Sequence, residues 1–145
     1  MLVSDILKCI DSILTIAQHE VYLKYVKKLE PFDLTPGQYA VLRCIWLREK
    51  QNTTPKDLAD FLRIETPSVS GILDRMQNKD LIDRALDETN RRRIKVTTTK
   101  KSEAMKTSLL EAVEELNREI SKGYTKKEWN TFLEMLYKIG NIEEK

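Results

Sequence analysis

The sequence predicts a mainly α-helical fold with one small β-hairpin. Apolar residues recur at spacings of three and four along most of the 145 residues, which is typical of amphipathic helices. A capping residue followed directly by proline, a common start of a helix, occurs at three places. Between residues 81 and 97 the apolar period shortens to two, which is typical of strands.

Composition indicates one ordinary domain that is soluble. Hydrophobic residues make up 41% of the chain, enough for one core. No apolar run approaches the length of a membrane span, and Asp5 and Lys8 interrupt the apolar N-terminus, so neither a signal peptide nor a membrane helix is predicted. Cys9 and Cys44 are not spaced like a metal site or a disulfide framework, which favours a reducing, cytoplasmic location.

Two helices are predicted before residue 50. The first spans about residues 4–29 and stops before Pro31, because proline disfavours helix in the preceding residue. Its apolar stripe consists of Ile6, Ile10, Ile13, Leu14, Ala17 and Val21. The second, about 36–49, opens with Thr35, Pro36 and Gln38 and is apolar nearly all round, as expected of a central helix.

Two short helices follow, joined by three residues. The first opens at Thr54-Pro55 with Asp57 completing the cap, and ends by about Leu62. The second repeats the cap and proline as Thr66-Pro67. Its apolar anchors are Val69, Ile72, Leu73 and Met76. This spacing is that of a helix-turn-helix.

A hairpin and two more helices complete the chain. Residues 81–86 and 93–97 are predicted strands around a polar turn, with Ile94 and Val96 on one face and cations on the other. A long helix, about 99–121, ends at Gly123. Thr125 and Glu128 form a capping box that opens the last helix. That helix is expected to bury Trp129, Phe132, Leu133, Leu136 and Ile139.

Positive charge is concentrated on the hairpin, although the net charge of the chain is only +2. The cations there include Arg91, Arg92, Arg93 and Lys95. Three consecutive arginines beside a helix-turn-helix are suited to contact phosphates or to enter a narrow minor groove of double-stranded DNA. The alternative is a solvated charge run with no partner.

The second short helix begins with small polar residues. Thr66, Ser68 and Ser70 are predicted to enter a major groove, where hydroxyls meet base edges; for the serines, helix capping is the alternative. Arg75 and Arg84 are predicted to flank the groove as phosphate contacts. Alternatively, Arg75 pairs with Asp74 and braces the helix.

The stretch from Leu34 to Lys101 resembles the MarR (multiple antibiotic resistance regulator) family. The strings that carry the resemblance are LTPGQYAVLRCIW, TPKDLADFL, PSVSGILDRMQNKDLIDR and DETNRRRIKVTTTKKS. Three residues depart from the family's pattern. Asn90 replaces an aspartate that is usual in the hairpin, which is called the wing in this family, and Asp80 and Ser102 replace glycines. Arg92 corresponds to the wing-tip residue that reaches the minor groove.

The resemblance implies a winged helix-turn-helix regulator of transcription, usually a repressor, that binds a pseudo-palindromic operator as a homodimer. Residues 1–145 then form one domain, with the DNA-binding lobe at 35–102 and dimerisation helices at 1–34 and 103–145. Family members are often released by small aromatic or phenolic ligands. Tyr22, Tyr25, Tyr39 and Trp46 are the residues expected to line such a pocket; otherwise they are core aromatics.

Other functions are less well supported by the residues. Some relatives sense oxidants through a cysteine on the first helix, and Cys9 has only Lys8 as a neighbouring cation. Cys44 is expected to pack in the core, and His19 has no partners at metal-ligand spacing, so no cofactor is predicted. No enzyme motif occurs. A winged helix that binds protein remains the alternative, because fold alone does not determine function.

Overall fold

A computed structural model describes residues 5, 7–49 and 51–143. The elements in chain order are α1 (Ile10–Leu29), a 3-10 turn (Glu30–Phe32), α2 (Pro36–Leu47), α3 (Pro55–Leu62), α4 (Thr66–Asn78), β1 (Ile82–Leu86), β2 (Ile94–Thr98), α5 (Lys100–Ser121) and α6 (Lys126–Ile139). The predicted mainly α-helical fold with a small hairpin is confirmed. Ile6 and the predicted helix start at residue 4 lie outside the described residues.

Threonine capping boxes start four of the helices. Thr35, Thr54, Thr99 and Thr125 each accept a hydrogen bond from the backbone N–H three residues on, and the side chain of that residue bonds back to the threonine N–H. Three of these boxes were predicted. The predicted cap at Thr66 is wrong: Glu65 occupies the cap position of α4, no side chain caps it, and Thr66 is already helical.

The core lies where α2, α3, α4 and the hairpin meet the neighbouring ends of α1 and α5. Its fully buried side chains include Leu29, Leu42, Leu58, Leu73, Met76, Ile82 and Leu109. On α4 the predicted anchors Val69, Leu73 and Met76 are buried, whereas Ile72 is half-buried. This core supports α4 and the hairpin from one side and leaves their other surfaces to solvent.

The faces of α1 and α6 remain largely uncovered in the single chain. The prediction that α6 buries its apolar stripe is wrong for one copy: Phe132 and Ile139 are 45% and 61% exposed, and Trp129, Leu133 and Leu136 are only half-buried. On α1, Ile10 and Ile13 are likewise exposed. The reason is that α1 and α6 extend away from the core of the lobe. Among the described residues, no helix has the length and apolar character needed to cross a bilayer.

Candidate nucleic-acid interface

The leading half of α4 presents polar side chains to solvent. Thr66, Ser68 and Ser70 are exposed, while Val69 is fully buried, so the helix divides into the two faces that the sequence predicts. No described residue makes a hydrogen bond to any of these three hydroxyls, and the capping alternative for Ser68 is not observed. The hydroxyls are therefore available to an outside partner.

The trailing end of α4 is fixed by a left-handed residue. Asp80 has φ 58°, and the N–H groups of Asp80 and Leu81 bond back to the carbonyls of Gln77 and Met76 at 3.0 and 2.9 Å. These bonds close the last turn in the way that glycine usually allows. Aspartate thus replaces glycine here without breaking the helix end, as its tolerance of this conformation predicts.

Side chains from two other segments hold the same end of α4. The Lys101 ammonium donates to the Lys79 carbonyl at 2.7 Å, and the Thr99 hydroxyl donates to the Asp80 carbonyl at 2.7 Å. The Lys79 ammonium donates to the Asp33 carbonyl at 2.8 Å. Sequence reasoning missed these contacts, because they join residues up to 46 positions apart. They orient α4 relative to α5 and the α1–α2 connection.

Arg84 rather than Arg75 forms the ion pair with Asp74. The Arg84 guanidinium donates to Asp74 at 2.6 Å and to Gln77 at 2.8 Å, and so ties β1 to α4. Arg75 is exposed, with one guanidinium nitrogen lying over Gly71 on the same helix. The alternative role of Arg75, pairing with Asp74, is therefore not observed.

The hairpin tip is held by its own side chains. β1 and β2 pair in antiparallel register from Ile82–Thr98 to Leu86–Ile94. One carboxylate oxygen of Asp87 accepts from the Thr89 N–H and hydroxyl at 2.9 and 2.8 Å. The other accepts from the Asn52 amide at 3.1 Å, and the hydrogen bonds from Thr89 lower the pKa of Asp87.

Asn90 supplies a second local bond at the tip. Its side-chain oxygen accepts from the Arg92 N–H at 3.1 Å, which is an Asx turn. The amide of Asn90 therefore orders the tip through a hydrogen bond to the backbone.

The three consecutive arginines all lie at the exposed tip. Arg91, Arg92 and Arg93 are exposed, and none forms an ion pair within the described part of the chain. Arg93 lies closest to the lobe, where its charge helps to lower the pKa of Asp57. Burial alone would raise that pKa, but hydrogen bonds from Thr54 and the charges of Arg48 and Arg93 outweigh it.

Lys95 and Ile94 differ from the expected alternation. Lys95 is half-buried on β2, opposite Ala85 and two residues after Arg93, whereas the three arginines of the turn are exposed. Val96 is buried as predicted, but Ile94 is 45% exposed, because it pairs with the exposed Leu86 beyond the edge of the core. The predicted face that Ile94 shares with Val96 is therefore buried at Val96 and open to solvent at Ile94.

Two further contacts hold the base of the hairpin. Thr53 forms an isolated bridge with Val96, whose N–H donates to the Thr53 carbonyl at 2.8 Å. The Glu103 carboxylate accepts from the Thr98 hydroxyl at 2.6 Å and from the Trp46 indole N–H at 2.8 Å. These hydrogen bonds lower the pKa of Glu103 against the effect of burial. Glu103 thereby joins α5, β2 and α2.

The four aromatic residues predicted to bind a ligand do not line one cavity in the described chain. Tyr22 is exposed and stacks on His19, and the Tyr25 hydroxyl donates to Asn117 at 2.6 Å. Tyr25 and Tyr39 are half-buried, and burial raises the pKa of each. Trp46 lines a separate cavity of about 280 Å³ that includes none of the tyrosines.

The two cysteines have different surroundings. Cys9 is exposed at the start of α1, but Lys8, its neighbouring cation in sequence, lies 3.3 Å from Asp5. Cys44 is buried, and burial raises the pKa of its thiol, in agreement with the predicted packing role. Among the described residues, no group of three potential metal ligands comes together.

Comparison with known proteins identifies the lobe. Residues 34–94, from the end of the α1–α2 connection to the start of β2, match the model of the MarR family. Over these residues the chain is similar to the MarR family. The match covers α2, α3, α4 and β1, the elements that carry the exposed serines and lead into the arginine tip. This family consists of transcription regulators and not enzymes, as the sequence predicts.

A related sequence is the HTH-type transcriptional regulator SarZ of Staphylococcus aureus. It is 28% identical over 96 residues, which span 66% of this chain. The matched stretch covers 64% of SarZ, slightly less than two thirds of its length.

Solved structures of similar fold include two with a stated link to DNA. The MepR–DNA complex of S. aureus superimposes with a TM-score of 0.81 and 22% identity over 92% of this chain and 95% of that one. BpsR of Bordetella bronchiseptica, whose DNA binding is regulated by 6-hydroxynicotinic acid, gives a TM-score of 0.82 and 20% identity over 93% and 95%. At these identities the likeness establishes the winged helix-turn-helix fold.

Proposed function

We propose that this protein is a MarR family transcription regulator that binds double-stranded DNA sequence-specifically as a homodimer and acts as a repressor. The observation that carries the proposal is the pairing of two features in one lobe. The leading turns of α4 carry hydroxyls without internal partners, and the adjacent hairpin tip carries three exposed arginines without ion pairs in the described chain. The MepR–DNA complex supports it through the shared fold.

The two features suit different parts of a duplex. Exposed hydroxyls at the start of a helix can contact base edges in a major groove, and Ser70 is the proposed specificity residue. Arg92 at the tip is proposed to reach the adjacent minor groove, where the negative potential attracts arginine. Thr66, Ser68, Arg75, Arg91 and Arg93 are proposed supporting contacts to the backbone. Lys95 and Arg84 lie further back, and Arg84 would approach a phosphate from its ion pair with Asp74.

The uncovered apolar faces support the homodimer. α1 and α6 expose large apolar side chains that a soluble single copy seldom leaves open, and Val21, Ile120, Tyr124, Trp129 and Phe132 line an apolar cavity of about 420 Å³ between α1, α5 and α6. A twofold pair through these helices covers both copies of this surface and presents two lobes to one duplex. The two α4 helices then contact half-sites about 34 Å apart.

Release by a small aromatic ligand is proposed as the regulatory step. A ligand acts by binding one dimer geometry better than another. A coupling of about 1 to 3 kcal/mol suffices for a 5- to 150-fold change in operator affinity. BpsR, which has the same fold, responds to 6-hydroxynicotinic acid. Tyr25 and Tyr39 are the proposed ligand contacts, since both are partly buried and pack against the same core.

Selection of bound duplexes from a random pool tests the proposal. The full-length protein is expected to enrich a pseudo-palindrome whose half-sites are centred about one helical turn apart. A variant with Arg91, Arg92 and Arg93 all changed to alanine is expected to enrich nothing at the same salt concentration, and Arg118→Ala on α5 serves as a control that also removes an arginine. Enrichment of no motif by the wild-type protein contradicts the proposal and favours a winged helix that binds protein.

A further inference from the structure

Arg63 connects the helix-turn-helix to the far end of the chain. It lies in the three-residue connection between α3 and α4. Its guanidinium donates to the carbonyl of Gly140 at 2.9 Å and to the carbonyl of Asn141 at 3.2 Å. These two carbonyls lie directly after α6. A residue of the lobe therefore contacts the end of a proposed dimerisation helix 77 positions away.

The C-terminal turn that Arg63 contacts is an ordered helix end. Asn141 has φ 49°, and the N–H groups of Asn141 and Ile142 bond to the carbonyls of Lys138 and Tyr137 at 3.3 and 2.9 Å. This is the pattern that satisfies the last carbonyls of a helix with a left-handed residue. The carbonyls of Gly140 and Asn141 stay free to accept, and a cation is favoured at this end of the helix dipole.

Arg63 holds this contact in an unfavourable backbone conformation. Its φ is 54° and its ψ is 43°, in the left-handed region that favours glycine. This region is unfavourable for a residue that carries a side chain. Glycine would adopt this backbone conformation with less strain at the end of α3. The presence of arginine is therefore explained by its side chain, which bonds to the C-terminal turn.

A wide opening separates the lobe from the C-terminal turn. A cavity of about 820 Å³ lies between Leu47 and Phe61 on the lobe side and Asn141 and Ile142 on the other. Leu47, Phe61 and Ile142 are about half exposed or more. Since these apolar side chains are not closely packed, the two hydrogen bonds of Arg63 span an interface that is otherwise loose.

We propose that Arg63 is a positioning residue for operator binding that holds the lobe to α6 and so sets the distance between the two α4 helices of the dimer. The proposal rests on the proposed function. Arg63 contacts no DNA in this account. It acts through the C-terminal turn, and loss of its guanidinium lets each lobe rotate relative to the dimerisation helices. The protein then tolerates operators of altered half-site spacing.

Three substitutions separate this role from a general effect on stability. Arg63→Gly removes the guanidinium and relieves the backbone cost, so its melting temperature is expected at or above that of the wild type. Arg63→Ala removes the guanidinium and keeps the cost, so it is expected to melt lower. Arg63→Lys retains one donor and is expected to lie between the wild type and Arg63→Ala in binding. If Arg63 only stabilises the fold, the operator affinity of the three variants should rise and fall with their melting temperatures.

Binding is measured on a series of duplexes built from the motif that the wild type selects, with one or two base pairs inserted or removed between the half-sites. Arg63→Gly and Arg63→Ala are both expected to bind the natural spacing about fivefold more weakly and to lose the wild-type discrimination against altered spacing. A duplex with one half-site is expected to bind all variants equally. The proposal is overturned if Arg63→Gly discriminates between natural and altered half-site spacing as strongly as the wild type does.

Amide hydrogen exchange of the DNA-free protein gives an independent measure. Residues 138–143 are expected to exchange faster in Arg63→Gly and Arg63→Ala than in the wild type, because the C-terminal turn has lost its contact with the lobe. Unchanged exchange there overturns the proposal whatever the binding data. If the wild type binds no duplex, the proposed function fails. Faster exchange of residues 138–143 in the variants would then still show that Arg63 holds the C-terminal turn, so the two failures are distinguishable.

Discussion

At the scale of single residues, the hairpin tip is ordered by acceptors rather than by ion pairs. Asp87 and Asn90 bond to the tip's own backbone, and the arginines are left without internal partners in the described chain. A loop that is already ordered loses less conformational entropy on binding. The guanidinium groups are thereby presented to a duplex at low entropic cost.

Arg92→Ala is expected to weaken duplex binding about tenfold, or roughly 1.4 kcal/mol. The plot of the logarithm of the binding constant against the logarithm of salt concentration should flatten by about one unit, because one fewer counterion is displaced. Fluorescence anisotropy titrations at several salt concentrations measure both. Arg118→Ala is the control, since Arg118 is exposed on α5 and pairs only with Glu114 among the described acids. Equal slopes for Arg92→Ala and wild type would exclude Arg92 as a DNA contact.

Ser70→Ala is expected to change sequence preference more than overall affinity. Its hydroxyl is exposed on the leading half of α4, and a contact to one base edge is worth about 1 kcal/mol of discrimination. Selection from random duplexes should show relaxed preference at one position in each half-site, while generic duplex binds unchanged. Ser108→Ala, at an exposed position on α5, is the matched control. An unaltered motif would remove Ser70 from the proposed readout.

The predictions for single residues were correct where neighbouring residues in the sequence determine the structure. The separation of buried Val69 from exposed Ser68 and Ser70 follows from helical periodicity, and the left-handed Asp80 follows from its place after a helix. The pairing of Arg84 with Asp74 did not follow, because it depends on how β1 lies against α4. The same applies to Ile94, whose exposure depends on where the core ends.

At the scale of elements, Glu103 joins α5 to the base of the hairpin through Thr98 and Trp46. These bonds favour the carboxylate and lower its pKa in the folded protein. The folded state therefore binds a proton less readily than the unfolded chain. The stability that Glu103 contributes is complete above its ordinary pKa of about 4.3 and is lost as the pH falls through the lower folded-state pKa.

Glu103→Gln is therefore expected to lower the free energy of unfolding at pH 7 by about 1 kcal/mol, a modest value because the carboxylate is partly exposed to water. The difference from wild type should disappear at acid pH, below the folded-state pKa. Urea unfolding across a pH series measures it. Glu111→Gln, at another exposed position on α5, is the control and should show neither effect. A difference that persists at low pH would mean that packing, not charge, carries the contribution.

Helix starts were the most predictable elements. The boxes at Thr35, Thr54 and Thr125 need only residues three positions apart, so the sequence alone locates them. Thr66 shares the pattern of a cap followed by proline, yet α4 begins at Thr66 itself, one residue earlier than predicted, and Glu65 stands at the cap position without a capping bond. The bridge from Thr53 to Val96 was not predicted, because one residue carries no strand periodicity.

At the scale of the whole molecule, the uncovered faces of α1 and α6 lead to a test of the dimer. Phe132→Glu introduces a charge at a position that is 45% exposed in one chain, so the lobe should remain folded. In the proposed dimer the charge would be buried, and the dissociation constant of the dimer should rise about 100-fold, or roughly 2.7 kcal/mol. Sedimentation across a concentration series measures it.

Thr131→Glu, one position earlier and also exposed, is the matched control for Phe132→Glu. It adds the same charge to the same helix on a different face. Identical dimer stability in the Phe132→Glu variant and the wild type would show that α6 does not form the dimer interface.

The order of the elements in the whole chain was predictable from apolar helix faces and sequence motifs. Contacts between residues far apart in the sequence were not predictable. The order of helices and the hairpin followed from periodicity, and the resemblance to the MarR family followed from strings between Leu34 and Lys101. Nothing in the sequence near Arg63 indicates that it reaches Gly140. The burial of α6 was also mispredicted, because an apolar stripe does not reveal whether its own chain or a second copy covers it.

The proposed DNA binding is tested by the affinity of the wild-type protein for a generic duplex between about 50 and 200 mM salt. Two lobes that each lay an arginine tip and a helix N-terminus along phosphates predict several contacts, and hence a loss of affinity of about a thousandfold or more over this range. Measurable binding at 50 mM salt with that steep decline is the expected result. No binding at low salt, or an affinity that does not change with salt, would contradict DNA binding through phosphate contacts.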